Sequence, residues 1–511
     1  MGAVGASWMP AWRMILRSGE VVEGTRPRLF NSLGREMQQL APASSGHVGI
    51  YSCGMTVYGD PHLGNLRPYV FADTLRRMLE FKGVTVTSVV NITDVGHAVG
   101  DGDLGEDKVE VTARAQNQSV WDVTKKYTEA FFTDLSNLNV LPHSHNPRAS
   151  EYVPQMIEFA QVLERKGYTY QLDSGLYFDT SRMPDYGRLA LRRPGSADTD
   201  VHRLEAVAGK RSPADFAVWR AERGEQKRLV HWESPWGPGV PGWHLECSVM
   251  SMSLLGDHFD IHTGGVDHRE IHHVNEIAQS EAYLGDGRDW VPMWLHNEFV
   301  LLGSNKIAKS SGRVPILRDL MNAGHHPMVY RYFLLNAHYR SQLDFTEAGL
   351  RSAAAGYRRL LGRVAQLGPL PEAAGLDVVR GRLRSAEALA ALAAIDDAIT
   401  EDLNTPKVIA ELNAVLRLDS LEDGEAALLA SAAERLLGLK LGVLSADEVS
   451  TATNIAMPPD YIEGLIAARA TARAGGDWGE ADRIRNQLTE IGVRLVDTPQ
   501  GTRWEPMPID D

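Results

Sequence analysis

Residues 47–94 read HVGIYSCGMTVYGDPHLGNLRPYVFADTLRRMLEFKGVTVTSVVNITD, and the fold is decided here. Residues 47–53 form a short apolar, β-prone run that ends at Cys53. A loop with Gly54, Gly59 and Pro61 follows. The spacing of Val70, Leu75, Met78 and Leu79 predicts a helix over 66–81. Asn65 is placed to cap it, Pro68 falls in its first turn, and Gly83 stops it. Residues 84–91 are rich in β-branched side chains, as a parallel core strand is. The product is a β-α-β unit with Cys53 and Thr93-Asp94 at the carboxyl ends of its strands. Open α/β sheets bind their ligands there.

Outward from this unit, residues 97–112 (HAVGDGDLGEDKVEVT) are acidic and glycine-rich and read as a loop. Helices are expected near 118–137 and 150–167. Residues 168–240 are punctuated by Gly, Pro and Trp and read as an insertion of short strands. Residues 260–262 look like another strand end, and 271–284 like a helix. From 347 to 445 the pattern becomes Ala/Leu-rich and helical, broken near Pro369, Pro371 and Asn404-Thr405-Pro406. Residues 459–504 read as two short helices followed by a turn at Thr498-Pro499-Gln500-Gly501.

The 511 residues suffice for about three domains. No run of eighteen apolar residues is present, so no membrane span is expected. Residues 1–25 lack the apolar core and cleavage site of a secretory signal and read as an extension, with Met9 and Met14 as alternative starts. Two cysteines cannot build a disulfide framework, and the cytoplasm is the expected compartment. A net charge of −14 excludes coating nucleic acid by bulk charge, though not a local basic face.

Both cysteines stand beside chemistry-bearing residues. Cys53 precedes the tetrad His62-Leu63-Gly64-Asn65, and Cys247 closes Pro241-Gly242-Trp243-His244-Leu245-Glu246-Cys247. His272 and Glu276 lie four apart and share one helix face. Two thiolates, an imidazole and a carboxylate suit zinc in softness and number. Burial as two small hydrophobes is the alternative, and spacing alone does not join Cys53 to Cys247. On the strand-to-helix turn, Gly64 admits a phosphate to the backbone, the helix start supplies N–H groups, and His62 can donate or merely cap. Lys306 and Lys309 in Lys-Ile-Ala-Lys-Ser-Ser-Gly can clamp a transferring phosphoryl group, or form a solvated loop. Gly264 and Gly265 before Asp267 permit close approach to a base or ribose, or simply a tight turn.

In their order along the chain these segments resemble the cysteinyl-tRNA synthetase family of class I aminoacyl-tRNA synthetases. Further markers are Tyr51–Gly54, Asn91–Asp94, Asn275–Glu281, Trp294–Asn297, Asp402–Pro406 and Asp497–Trp504. The resemblance implies an α/β fold: a Rossmann-like parallel-sheet catalytic domain with a connective insertion, then a helical bundle and a small C-terminal domain. The corresponding boundaries are 1–25 for the extension, 26–167 and 236–315 for the catalytic halves, and 168–235 for the insertion. A stem-contact linker at 316–346, a bundle at 347–450 and a C-terminal domain at 455–511 follow.

The same resemblance implies one Zn2+ per chain on Cys53, Cys247, His272 and Glu276, holding the thiolate of substrate cysteine. Thr93, Trp243 and Asp267 would line the amino-acid and adenylate pocket. His62, Asn65, Lys306 and Lys309 would bind the phosphates of ATP, which comes with Mg2+, and Gly54, Gly64, Gly264 and Gly265 are read beside them as positions where the backbone lets ATP approach. Cysteine would be activated to its adenylate and passed to the 3′ end of tRNA(Cys) by a monomer. Arg351, Arg358, Arg359, Arg363, Arg469, Arg473, Arg483 and Arg485 are candidates to meet tRNA phosphates. Residues 461–504, however, hold six arginines against six acidic residues and carry no strong footprint.

The lysine signature departs from the family's usual Lys-Met-Ser-Lys-Ser at Ile307 and Ala308, which predicts a slower reaction rather than an inactive protein. Two rivals remain open. One is a paralogue that ligates cysteine to a small-molecule amine, as in mycothiol synthesis. The other is a non-catalytic synthetase-like binding protein. Residues 380–504 and the intact ligand and lysine sets weigh against them.

Overall fold

The computed structural model describes residues 13–15, 21–23, 26–41, 46–99, 105–190, 207–222, 228–302, 305–306, 314–418, 420–449, 459–491, 493–498 and 501–506. Two antiparallel hairpins come first, β1 (Arg13–Ile15) with β2 (Val21–Glu23) and β3 (Arg28–Asn31) with β4 (Glu36–Gln39). The expected β-α-β unit follows as β5 (His47–Thr56), α1 (Leu63–Phe81) and β6 (Thr85–Thr93). Its helix begins three residues earlier than the apolar spacing suggests. His62, not Asn65, is the N-cap, and Asn65 completes a reciprocal capping box.

Downstream run α2 (Lys108–Gln116), α3 (Val120–Asn137) and α4 (Val153–Arg165). The 97–112 segment is therefore not only a loop. Asp107 caps α2 by accepting from Val109 N and Glu110 N, and the glycine-rich run before it hides that start. Residues 100–104 of this segment lie outside the described residues.

The insertion carries short strands as expected. They are β7 (Thr169–Leu172), β8 (Gly175–Phe178), β9 (Phe216–Ala221) and β10 (Gly239–Pro241), in one antiparallel sheet. The chain returns through α5 (Trp243–Leu255), β11 (Ile261–Gly265), α6 (Val266–Arg269), α7 (His272–Leu284) and β12 (Met293–Asn297). The central sheet has the order β12-β11-β5-β6 and is parallel throughout.

The two central strands are buried on both faces. Along β5, Val48 and Ile50 face one apolar core while Tyr51 and Cys53 face the other. The first core runs through α1 into the C-terminal helices. The second packs α4, α5, α7 and the inserted sheet.

β13 (Val300–Leu302) and β14 (Asn305–Lys306) precede α8 (Leu317–Asn322), α9 (Pro327–Leu335) and β15 (Leu343–Phe345). The helical region comprises α10 (Glu347–Gln366), α11 (Leu376–Arg382), α12 (Ala386–Thr400), α13 (Thr405–Val415) and α14 (Asp423–Leu437). It is tied to α1 by ions as well as by packing: Lys82 Nζ, just past that helix, lies 2.5 and 2.7 Å from the Asp396 carboxylate oxygens on α12. The tail holds α15 (Pro459–Ala474), α16 (Trp478–Glu490) and a hairpin of β16 (Val493–Thr498) with β17 (Gly501–Pro506). Pro499 and Gln500 of the expected turn lie outside the described residues.

Candidate active site

Cys53 owes its position to an irregularity in β5. The pairing with β6 shifts register between Ser52 and Met55, and Gly54 N donates to Asn91 Oδ1 at 2.7 Å within the shift. A Cβ on Gly54 would fall 1.5 Å from Asn91 O, so only glycine lets the strands approach this closely. Cys247 comes from the first turns of α5, while His272 and Glu276 stand one turn apart on α7. Sγ of both cysteines, a ring nitrogen of His272 and a carboxylate oxygen of Glu276 all lie within 4.8 Å of one another, and all four residues are buried.

The four groups are strongly coupled electrostatically. Burial pushes the Cys247 thiol up, but hydrogen bonding with Cys53 and His272 brings it down to about 6. Cys53 is pushed well up by burial and by Cys247. Burial raises Glu276 too, yet His262 and His272 hold it at about 2. His272 is raised to about 10 against burial, by Glu276 and Cys247. Its Nδ1 lies 2.9 Å from His244 Nδ1. Its Nε2 is 3.0 Å from Glu276 Oε1 but makes no aligned hydrogen bond. A buried, unsatisfied imidazole nitrogen facing two sulfurs and a carboxylate fits a metal ion.

Cys53 and Glu276 also belong to a second grouping, with His262 and His273. His262 Nε2 lies 2.9 Å from Glu276 Oε2, on the side away from His272, and its ring stacks on Trp294. This pairing orients the carboxylate, as partners behind a metal ligand do. Cys53 and His272 border the open cavity, whereas His262 and His273 do not. The first grouping thus meets the cavity through two of its members, the second through Cys53 alone.

That cavity has a volume of about 400 Å³. His62, Gly64 and Asn65 at the start of α1 line it, so the tetrad both caps the helix and faces the open space. Gly54, Trp243, Gly265 and Asp267 line it as well. Trp243 stacks on His272 with ring centres 4.1 Å apart, joining the four-residue nest to the cavity wall.

Thr93 and Gly264 are elsewhere. Thr93 is buried behind the bulge, accepting from Asn91 Nδ2 at 3.0 Å. Gly264 backs onto the histidines, where a Cβ would meet His273 Cε1 at 2.7 Å. Lys306 contributes backbone to β14, and Lys309 lies outside the described residues.

Sequence spacing did not single out Tyr58, His97, Lys108 and Glu298, which also border the cavity. The signal for Lys108 was present in the Asp107-to-Glu110 capping pattern. Glu246 was passed over too. It is fully buried, and burial and Cys247 keep its carboxyl well above the usual range.

Among the described residues no helix is long and apolar enough to cross a membrane. Residues 39–355 match the family model for the class I (C) tRNA synthetase catalytic domain, and residues 459–504 that for the cysteinyl-tRNA ligase anticodon binding domain. A cysteine–tRNA ligase of Zymomonas mobilis is 43% identical over 93% of the chain and 97% of its own length. One from Novosphingobium aromaticivorans is 44% identical, covering 94% and 97%. One from Thermus thermophilus is 40% identical, covering 93% and 98%. A solved ternary complex of Agrobacterium radiobacter K84 LeuRS with tRNA and LeuAMS shares the fold at a TM-score of 0.55 and 12% identity, covering 89% of this chain and 95% of that one.

Proposed function

The chain belongs to the cysteinyl-tRNA synthetase family, class I aminoacyl-tRNA ligases, and from that premise we propose how its own residues divide the reaction. As a cysteine–tRNA ligase it takes cysteine, ATP and tRNA. The observation that carries the assignment of residues is the buried Cys53–Cys247–His272–Glu276 nest at the edge of a cavity that also receives the N-terminus of α1.

Cys53, Cys247, His272 and Glu276 are the residues that would hold one Zn2+. Bound there, the ion supplies affinity for a thiolate that a hydroxyl cannot match, which separates cysteine from serine where pocket shape discriminates poorly. Trp243 and Asp267 line the cavity, where Trp243 would wall the amino-acid site and Asp267 would accept hydrogen bonds from substrate. His62, Gly64 and Asn65 offer a helix start to the phosphates of Mg2+-bound ATP, and Gly54 and Gly265 allow its close approach. Thr93 supports the wall from behind, and Gly264 makes room for the histidines. Lys306 and Lys309 would clamp the departing pyrophosphate.

The cysteine carboxylate attacks the α-phosphorus and pyrophosphate leaves; the terminal ribose hydroxyl of tRNA then attacks the carbonyl of the adenylate, takes the cysteinyl group and releases AMP. The anticodon-binding match over 459–504 supports RNA as the acceptor over a small-molecule amine. A cytoplasmic monomer with catalytic halves 26–167 and 236–315, an insertion 168–235, a linker 316–346, a bundle 347–450 and a C-terminal domain 455–511 accords with this reading.

The test is cysteine-dependent ATP–pyrophosphate exchange, followed by charging of tRNA(Cys) with serine as the control. Exchange and charging with cysteine alone are expected. Exchange without charging would favour the amine ligase, and no exchange would leave only a binding protein.

A further inference from the structure

Resting on the adenylation reading above, we propose that Lys108 is a catalytic residue that contacts the substrate anion where carboxylate and α-phosphate meet. Adenylation brings two anions together, so the site needs fixed positive charge at their junction. Among the described residues bordering the cavity, Lys108 is the one lysine or arginine. Asp267 and Glu298 border the same space with negative charge, which suits the substrate's ammonium and not its carboxylate or phosphates.

The chain holds this lysine with unusual care for a residue of a glycine-rich excursion. It is the first residue of α2, which Asp107 caps, and its own N–H donates to His97 O at 2.9 Å. Ala98 and Asp107 form an antiparallel bridge that closes the excursion on itself. Buried Arg220, on β9 of the inserted sheet, donates to Gly96 O at 2.9 Å and also to Gly105 O. The inserted sheet thus grips both ends of the excursion and fixes where α2 begins.

The ammonium group is aimed as well as anchored. Lys108 Nζ lies 2.8 Å from His97 Nε2, and His97 Nδ1 lies 2.5 Å from Thr56 Oγ1. An ammonium only donates, so His97 Nε2 accepts and His97 Nδ1–H donates to Thr56. The His97 ring stacks on Trp243 with centres 4.0 Å apart and planes 12° apart. Trp243 in turn stacks on His272. One row of side chains therefore runs from the metal nest, where the substrate's sulfur would sit, to a cation. A lysine serving only solubility needs neither the imidazole nor the clamp.

The experiment compares the parent with Lys108→Met and Lys108→Arg in cysteine-dependent ATP–pyrophosphate exchange, with bound metal and melting temperature measured on each. The parent's own exchange tests the functional reading; the variants test the lysine. Lys108→Met is expected to lose about 100-fold in kcat/KM with metal content and melting temperature unchanged. Lys108→Arg is expected to recover at least about tenfold of that loss, because it restores charge. Exchange by Lys108→Met within about threefold of an active parent overturns the proposal. If Lys108→Met loses metal or melting temperature, the arginine variant decides. A normal metal content with at most about a tenfold loss supports the charge role, and a larger loss overturns it.

Discussion

Arg331 and Asp73 meet with a nitrogen–oxygen separation of 2.5 Å, and neither side chain is exposed. Asp73 lies on α1, the helix whose first turn borders the active-site cavity, and Arg331 lies on α9. Arg331 also donates to Leu437 O at the end of α14 and to Leu138 O after α3, each at 2.8 Å. One guanidinium thus joins the catalytic sheet's main helix to the helical region. Arg331→Met leaves these carbonyls without their guanidinium donor and Asp73 with Arg77 and the Leu141 N–H. A loss of about 3–5 kcal/mol is expected, read as a lowered unfolding midpoint. An unshifted midpoint would remove the pair from the list of what holds these units together.

The same pair sets a pH dependence. Burial alone would raise the Asp73 carboxyl, but Arg331 and Arg77 overcome it and hold the group below its usual range. A depressed carboxylate contributes its full stability above the unfolded value of about 3.9 and loses it as pH falls through the folded value. The gap in melting temperature between the parent and Asp73→Asn should stay constant from about pH 8 to about pH 5 and narrow below about pH 4. A gap that widened on acidification would contradict the ion pair.

His62 is both an N-cap and a cavity residue, and two substitutions separate these roles. Its Nδ1 accepts from Asn65 N at 3.2 Å, which an asparagine side chain can reproduce and alanine cannot. His62→Ala should lose about 1 kcal/mol of stability as well as activity. His62→Asn should keep the stability and still lose about 100-fold in ATP–pyrophosphate exchange, because the imidazole is gone. Full exchange in His62→Asn would leave this residue a cap and nothing more.

How far the sequence discloses all this depends on the range of the interaction concerned. The β5–α1–β6 unit is legible because its signals are local: strand composition, apolar spacing, a cap and a stop within 48 residues. The start of α1 was misplaced because His62 is an uncommon cap, whereas Asn65 is a common one that here sits at the third helical position. The metal nest was legible by residue type and by resemblance. The closeness of Cys53 to Cys247 was not, since it comes from a β-bulge and from the parallel order of strands far apart in sequence. Lys108 escaped in part for the same reason: His97 aims its ammonium, but Arg220, more than a hundred residues later, grips the segment that carries it. Thr93 and Gly264 show the converse: family position for the one, and a glycine pair before Asp267 for the other, placed them near the site without distinguishing lining from support.

Cys247→Ser tests the metal nest without disturbing the sheet. The thiol sits on α5 with only 1% exposure, so serine fits its volume but offers zinc a far poorer donor. The variant should lose bound metal and its affinity for cysteine together, while ATP binding persists. Discrimination against serine should fall in step with metal content across preparations depleted by a chelator. Intact metal content with parental cysteine kinetics would transfer the ion to the neighbouring grouping of Cys53, His262, His273 and Glu276.

Residues 461–504, within the anticodon-binding match, hold six arginines against six acidic residues. Arg483 is paired with Glu480 at 2.6 Å and Arg485 with Asp482 at 3.3 Å, so these two candidate phosphate contacts are already engaged within their own helix. Trp478 opens that helix with 63% of its surface exposed, beside the Asp477 cap. An indole face held by a capped helix end is a platform for an unpaired base, and such stacking is worth about 1–3 kcal/mol. Trp478→Ala should therefore raise the KM for tRNA by about 5- to 150-fold and leave ATP–pyrophosphate exchange untouched. Trp478→Phe should retain most of the affinity, because the stacking face survives. A tRNA KM unchanged by the alanine variant would show that this unit recognises its RNA through the hairpin or the remaining arginines instead.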